Sequence, residues 1–432
     1  MATILSVTEN SLIGTLNSVT EPMLGSVGVP ETAFNALRQF VFENENADGL
    51  FTFTVLKGAE FIRVRHYVGL LLLPDGNMLE ILPKIEQQSQ SRPLLLNMLR
   101  YLRHSPFRTL RRGQSKAVHL PLWEIFITAF LDTVEPLAQQ GIQQAYVSVE
   151  SNERFWKGRF QATRQLRENS YHAERLAVVY DELTANVPPN RILKSTLLYL
   201  ANRTRYGANQ RRIQQLLWVL DDVPVSDSVP DDLTAIQRSS RLFARYEAAL
   251  LWAKTLLLRQ GLGVKTGKTP SLSLLFPMEQ VFEDYVAHGI RTHWPGADKV
   301  RVQESSVHLV DEHVGSPKFK LRPDIIIHHS DRTFVLDTKW KRVNGQVPGG
   351  QMSAGNYGIE QADMYQLYAY GKKYAADDLF LIYPVNETFA KPLPVFEYDA
   401  DTRLHVVPFD LTNSLANEVD KLAQYALSFN EK

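Results

Sequence analysis

Two β-branched runs, Ile325 to His329 and Thr333 to Asp337, flank Ser330-Asp331-Arg332. Such runs around a turn-forming triplet are read as an antiparallel hairpin. With the turn centred near Asp331, the register sets Asp324 opposite Thr338, between Asp337 and Lys339. Side chains alternate along a strand, so Asp337 and Lys339 share a face, roughly 7 Å apart along it. The hairpin therefore gathers Pro323-Asp324 and Asp337-Thr338-Lys339 at one end. Two acids on adjacent strands beside a lysine suit phosphodiester hydrolysis. A hard cation such as Mg²⁺ takes oxygen ligands and keeps several waters, and it makes a bound water a nucleophile near neutral pH. The lysine orients that water or offsets the charge developing on the phosphate. A D-x-K triplet alone is common, and a solvated surface hairpin would carry the same residues.

The flanks add to this. Met278, Val281, Phe282, Tyr285 and Val286 recur at helical spacing, with Glu279 and Glu283 one turn apart on a separate face. Either glutamate is a candidate third acid; Glu283 is the preferred one, and a solvated helix face remains the alternative. Downstream, Ile359 to Ala376 reads as a helix with Gln366 and Tyr370 on one face, and Asp378 to Pro384 as a buried strand. Helix, hairpin, crossover helix and strand make an α/β core with a mixed sheet.

A chain of 432 residues is expected to form two or three domains. Residues 1–90 read as β-rich, with alternation in Phe51 to Val55 and Glu60 to Arg65 and a turn at Pro74-Asp75-Gly76-Asn77. Residues 91–268 read as mainly helical, with Asp221 to Asp232 an exposed loop, and residues 270–432 hold the hairpin core. The whole is thus a multidomain α+β chain. It has no cysteine, which removes disulfides, thiolate metal sites and cysteine nucleophiles and suits the cytoplasm. Its longest apolar run, Val68 to Leu73, is far too short to span a bilayer, so no membrane partner is expected.

Net charge is zero, but the bases are unevenly placed. Arg92, Arg100, Arg103, Arg108, Arg111, Arg112 and Lys116 lie in an acid-free stretch, as do Arg203, Arg205, Arg211 and Arg212. Such stretches suit a DNA backbone or an acidic protein surface equally, or are ordinary solvated faces. Gly261 to Thr269 ends like a phosphate-binding loop, but leucine holds position 262 where the first glycine belongs, so no nucleotide is expected here and Gly261 to Lys268 reads as a linker. The long glycine-bearing stretch Lys341 to Gly358 exceeds normal loop length and suggests an element that closes over DNA or orders on a partner. His328-His329 reads as structural, and neither H-E-x-x-H nor G-x-S-x-G occurs.

The order helix-Glu, P-D, D-x-K, Q-x-x-x-Y resembles the PD-(D/E)xK nuclease superfamily, a restriction-endonuclease-like core. More specifically, Asp337-Thr338-Lys339-Trp340-Lys341, Tyr365-Gln366-Leu367 and Leu381-Ile382-Tyr383-Pro384 resemble the McrC family. So do Tyr67-Val68-Gly69, Leu79 to Ile85, Lys157-Gly158-Arg159-Phe160 and Asn190 to Thr196 upstream. The resemblance implies the nuclease subunit of a McrBC modification-dependent restriction system, a Mg²⁺-dependent endonuclease (Mn²⁺ as substitute) for double-stranded DNA. It also implies a separate McrB-like AAA+ GTPase hexamer as partner, which this chain binds and stimulates. Asp324 and Asp337 would hold the metal, with the Thr338 carbonyl as a further ligand; Lys339 would assist the chemistry, Glu283 complete the acids and Gln366 position. A non-catalytic bridging subunit and a self-sufficient repair nuclease are the rival readings. The target base or modification is not legible in the chain.

Overall fold

The computed structural model describes residues 4–19, 25–44, 47–85, 88–103, 105–110, 119–238, 243–257, 273–345, 356–376 and 378–430. The expected linker at 261–268, with its loop-like motif, and residues 346–355 of the long glycine-bearing stretch lie outside them. The chain forms two compact units: Met1–Val118 with Gly261–Lys432, and His119–Gln260.

The first unit begins with β1 (Ile4–Thr8), β2 (Leu12–Thr15), β3 (Ser26–Val29) and helix α1 (Glu31–Glu43). There follow β4 (Phe51–Leu56), β5 (Ala59–Val64), β6 (Tyr67–Leu72), β7 (Met78–Leu82) and α2 (Ser91–Leu99). One sheet runs β3-β2-β5-β4. Phe34, Leu37 and Phe40 of α1 bury against Ile13, Ile62 and Val64 of that sheet and Leu79 and Ile81 of β7, one apolar core. The alternating strands and the Pro74–Asn77 turn stand as their sequence pattern indicates: Gly76 N–H donates to the Leu73 carbonyl and Leu73 N–H to that of Asn77.

The second unit holds α3 (Leu122–Gln139), β8 (Ala145–Glu153), β9 (Arg159–Phe160), α4 (Ala162–Glu168) and β10 (Leu176–Thr184). It continues with α5 (Pro188–Ala201), α6 (Gly207–Val219), α7 (Val229–Arg238) and α8 (Glu247–Leu257). Helices dominate, but the sheet β8-β10-β9 departs from the mainly helical expectation. β8 alternates with polar residues and has no buried position, so it lacks the apolar signal of a core strand, whereas β10 carries one in Leu176 to Tyr180, with Ala177 and Val178 buried. The acidic 221–232 segment also differs: α7 starts inside it, and Asp232 is buried, paired with Arg191.

The first unit resumes with β11 (Ser273–Pro277), α9 (Met278–His293), β12 (Lys299–Val302), β13 (His308–His313), β14 (Ser316–Lys320), β15 (Ile325–His329) and β16 (Arg332–Thr338). It closes with α10 (Gln361–Tyr374), β17 (Asp378–Pro384), β18 (Phe396–Glu397), β19 (Arg403–Phe409) and α11 (Leu415–Leu427). β11 pairs with β6, extending the sheet β1-β7-β6-β11, so segments 1–90 and 270–432 share one unit. Gly69 makes that pairing possible: its φ is +127°, and a Cβ there would lie 2.0 Å from the Leu274 carbonyl oxygen. The six-stranded mixed sheet β12-β15-β16-β17-β19-β18 carries the candidate site. Ile326, Val335, Leu379, Leu381 and Val406 form part of its core with Leu367 and Tyr370 of α10.

Candidate active site

β15 and β16 pair antiparallel, with Ile325 opposite Leu336 and His329 opposite Arg332. The turn is therefore two residues, Ser330-Asp331, and Ser330 takes the left-handed φ of +53° that such a tight hairpin needs. The expected three-residue turn would shift the register by one; the observed pairing runs Asp324 toward Asp337. Thr338 nevertheless reaches Asp324, donating from its backbone N–H (2.7 Å) and its hydroxyl (2.8 Å) to the same Oδ2. Those two donors fix the rotamer of Asp324 against the neighbouring strand.

Lys339 N–H donates to the Ile382 carbonyl, carrying the parallel β16–β17 pairing one residue past Thr338. Lys339 and Asp337 share a face as strand alternation requires, and Lys339 Nζ stands 2.8 Å from Asp337 Oδ2. The contact is a short, charge-assisted one in a largely buried setting. Lys339 Nζ also faces Asp363 Oδ1 and Gln366 Oε1, both at 3.5 Å. Gln366 in turn donates to the Tyr370 hydroxyl, one turn along α10. Asp363 carries a second cation, Lys341, at 3.4 Å.

The electrostatics are unusual for a surface hairpin. Burial, then the charges of Asp337 and Glu283, hold the Asp324 carboxyl well above the usual aspartate range. Burial raises Asp337 too, against the pull of Lys339. Glu283 is raised by burial and by nearby Asp284 and Asp337, against Gln303 and Arg103. Lys339 is partly buried, which favours its neutral form, yet the acids around it hold its pKa above the ordinary lysine value. Asp324, Asp337 and Glu283, largely buried and repelling one another, make a place whose charge a divalent cation would relieve. Among the described residues no three His, Asp or Glu side chains are already arranged around a vacant metal position. The acids form a pair, with the Lys339 ammonium against it and Glu283 alongside.

The two glutamates of α9 separate clearly. Glu279 is exposed, and its charge acts on Glu9. Glu283 accepts from Gln303 Nε2 (2.8 Å) and Arg103 Nη2 (3.1 Å). His328 is tied to Thr333 across the hairpin, Nδ1 to Oγ1 at 3.2 Å. Several bases of the acid-free stretches prove to be spent inside the chain. Arg92 pairs with Glu80, Arg103 with Glu283 and Asp284, Arg212 with Asp132 and Glu135, and Arg203 lies over the Tyr199 ring. The acids that Arg92, Arg103 and Arg212 meet are distant in sequence, so around these three the stretch only looked unbalanced, and DNA, an acidic protein surface and a solvated face stay open for the rest.

Sequence reasoning overlooked Asp363, Gln303, Arg103 and Glu9. Asp363 had a signal, standing three residues before Gln366 on one helix face. Glu9 had none. It is 1 % exposed and accepts from Trp340 Nε1 at 2.7 Å, beside a cavity of about 480 Å³ that Trp340 and Lys341 also line.

Fold and site together define a multidomain α+β protein whose mixed sheet presents a buried acidic pair and a charged lysine at one end of a hairpin. The chain belongs to the McrBC family: the model described as "McrBC 5-methylcytosine restriction system component" matches residues 62–384 of 432. Its fold is similar to that of a chain in the Thermococcus gammatolerans assembly of McrB AAA+ hexamers with bound McrC. That likeness has a TM-score of 0.71 at 18 % identity and covers 98 % of this chain and 100 % of the other. A chain of the cryo-EM structure of the Thermococcus gammatolerans McrBC complex aligns with a TM-score of 0.47 at 21 % identity, over 66 % of this chain and 86 % of that one. No curated protein matches. Among the described residues no helix is long and apolar enough to cross a membrane.

Proposed function

We propose that this chain is the DNA-cutting subunit of a modification-dependent restriction system, a PD-(D/E)xK endonuclease that works with an AAA+ GTPase hexamer. The observation that carries the reading is the buried Asp324–Asp337 pair, destabilised as carboxylates and bordered by Lys339. A fold similar to a chain from an assembly of McrC with McrB hexamers supports the partner. Double-stranded DNA is the substrate, and the cytoplasm the place of action.

Asp324 and Asp337 would hold Mg²⁺, with Mn²⁺ as a substitute and the Thr338 carbonyl as a further oxygen ligand; Glu283 stands as the third acid. The bound cation would supply a nucleophilic water and offset phosphate charge. Lys339, kept protonated by the surrounding acids, acts as a fixed positive charge toward the phosphate rather than as a proton acceptor. Asp363 and Gln366 stand ready as its partners when Asp337 turns to another cation. Thr338 holds Asp324 in place through two donors.

The test is cleavage of modified and unmodified plasmid DNA by the full chain with its GTPase and Mg²⁺, comparing wild type with Asp337→Asn. Loss of cutting on the substitution is expected. Equal cutting by both proteins overturns the assignment.

A further inference from the structure

Arg103 lies just beyond α2, 180 positions before Glu283 in sequence. Its side chain nonetheless reaches two adjacent carboxylates of α9. Nη2 donates to Glu283 Oε1 at 3.1 Å, Nε donates to Asp284 Oδ1, and its backbone N–H donates to Asp284 Oδ2 at 2.9 Å. Asp284 is 3 % exposed, so Arg103 is anchored from the interior and only its outer nitrogen is directed at Glu283. A planar guanidinium can do this because its donors are held in a fixed fork.

Glu283 is gripped from the other side by Gln303, whose Nε2 donates to the same Oε1 at 2.8 Å. Gln303 follows β12, and its backbone N–H donates to the Asp324 carbonyl at 2.8 Å. It takes a left-handed φ of +50°, a conformation that costs a residue with a Cβ and persists only where its surroundings impose it. One unbroken set of hydrogen bonds therefore runs from Arg103 through Glu283 and Gln303 to the backbone of Asp324. The Gln303–Asp324 bond extends the β12–β15 ladder by one pair, whereas the side-chain bonds of Arg103 and Gln303 to Glu283 complete no helix and pair no strand.

We propose that Arg103, with Gln303, is a positioning residue of the hydrolytic site: it holds Glu283 toward Asp324 and Asp337, so that a residue from the N-terminal half of the chain completes the cation site. The proposal rests on the reading of Asp324, Asp337 and Glu283 as that site. Arg103 touches no reacting atom; it acts through Glu283 alone, and this makes the proposal separable from a merely structural role.

The test is Mn²⁺ binding to the full chain, followed by the electron paramagnetic resonance of free Mn²⁺, without DNA or partner. Asp284→Asn is the reference, since it removes the buried charge that Arg103 would otherwise leave unpaired. In that reference Arg103→Gln and Glu283→Gln each weaken Mn²⁺ binding about tenfold, and the double substitution is no weaker than either alone. Arg103→Lys in the otherwise wild-type chain, which keeps the charge but not the fork, falls between. It supplies the reading if Arg103→Gln does not fold. Unchanged binding in Arg103→Gln or in Arg103→Lys, or losses that multiply in the double substitution, overturn the proposal. Asp337→Asn is measured alongside: if it abolishes binding while Arg103 is inert, the site stands and only the clamp fails. If Asp337→Asn binds Mn²⁺ like the wild type, the site itself is misassigned.

Discussion

Trp340 Nε1 donates to Glu9 Oε1 across 331 positions of sequence, joining the turn after β1 to the residue that follows Lys339. The other oxygen of Glu9, Oε2, is buried with no donor. Burial, only partly offset by the Lys84 backbone, Trp340 and the Lys84 charge, raises the Glu9 carboxyl from 4.5 to about 7. The folded chain thus keeps a proton that the unfolded chain releases, and the cost grows as pH rises from 4.5 to about 7. Glu9→Gln keeps the acceptor for Trp340 and removes the titration. It should be more stable than wild type at pH 8, by at most on the order of 3–4 kcal/mol, with the gap vanishing toward pH 4.5. Thermal unfolding of both proteins across that range decides it; a pH-independent gap would rule out Glu9 as the titrating group.

Lys339→Met should lower DNA cleavage by on the order of 10² to 10³, because it removes the one cation placed 2.8 Å from Asp337. Since its neighbours hold Lys339 above the ordinary lysine value, the wild-type rate should show no limb between pH 7 and 9 that this substitution abolishes. Stimulation of the GTPase should survive, as the role proposed for Lys339 is in cutting alone. Measuring cleavage and GTP turnover on the same preparations separates the two; cleavage at the wild-type rate would contradict the assignment.

Asp324 and Asp337 carry the same sign as Glu9. Both titrate above the ordinary 3.8, so their cost to the metal-free fold sets in as pH rises through that value and is complete above their folded values. Asp337→Asn should therefore stabilise the metal-free protein at pH 8, by about 0.5–2 kcal/mol. Mn²⁺ should raise the melting temperature of wild type at pH 8, less at pH 5, and not at all in Asp337→Asn. A cation response that persists in the variant would place the cation elsewhere.

How much of this was legible in the chain depends on the range over which each relation acts. The hairpin, α9, α10 and β17 follow from periods of two and 3.6 that the residues carry locally. Its register was one residue off, because Ser330 accepts a left-handed φ that the triplet Ser330-Asp331-Arg332 does not announce. Asp324, Asp337, Lys339 and Gln366 could be gathered because strand alternation and one helix connect them. Arg103, Gln303 and Glu9 could not, since their partners lie in other elements and no period links them. The same reason hid the neutralised arginines: Arg92 and Arg103 meet their acids only in the folded chain. The β8 strand escaped for want of a buried residue; β10 had a signal in the apolar run Leu176 to Tyr180 that was passed over.

Asp378, at the far end of the same sheet, shows what an acid there looks like when it is structural. It is 1 % exposed, and burial alone would raise its pKa. His405 Nε2 at 3.0 Å, Arg332 and Arg403 Nη2 at 2.9 Å outweigh burial and hold it below the usual range. Its stabilising contribution is present above 3.8 and is lost as pH falls through its lower folded value. Asp378→Ala would leave two arginines and a buried imidazole facing each other without a counter-charge, so it should cost about 3–5 kcal/mol at pH 7. Mn²⁺ affinity at the Asp324–Asp337 pair should stay at the wild-type value in whatever fraction remains folded, because no hydrogen bond of Asp378 reaches that pair. Denaturant unfolding with Mn²⁺ titration tests both halves: a large fall in affinity with little loss of stability would make Asp378 part of the site, contrary to its bonding.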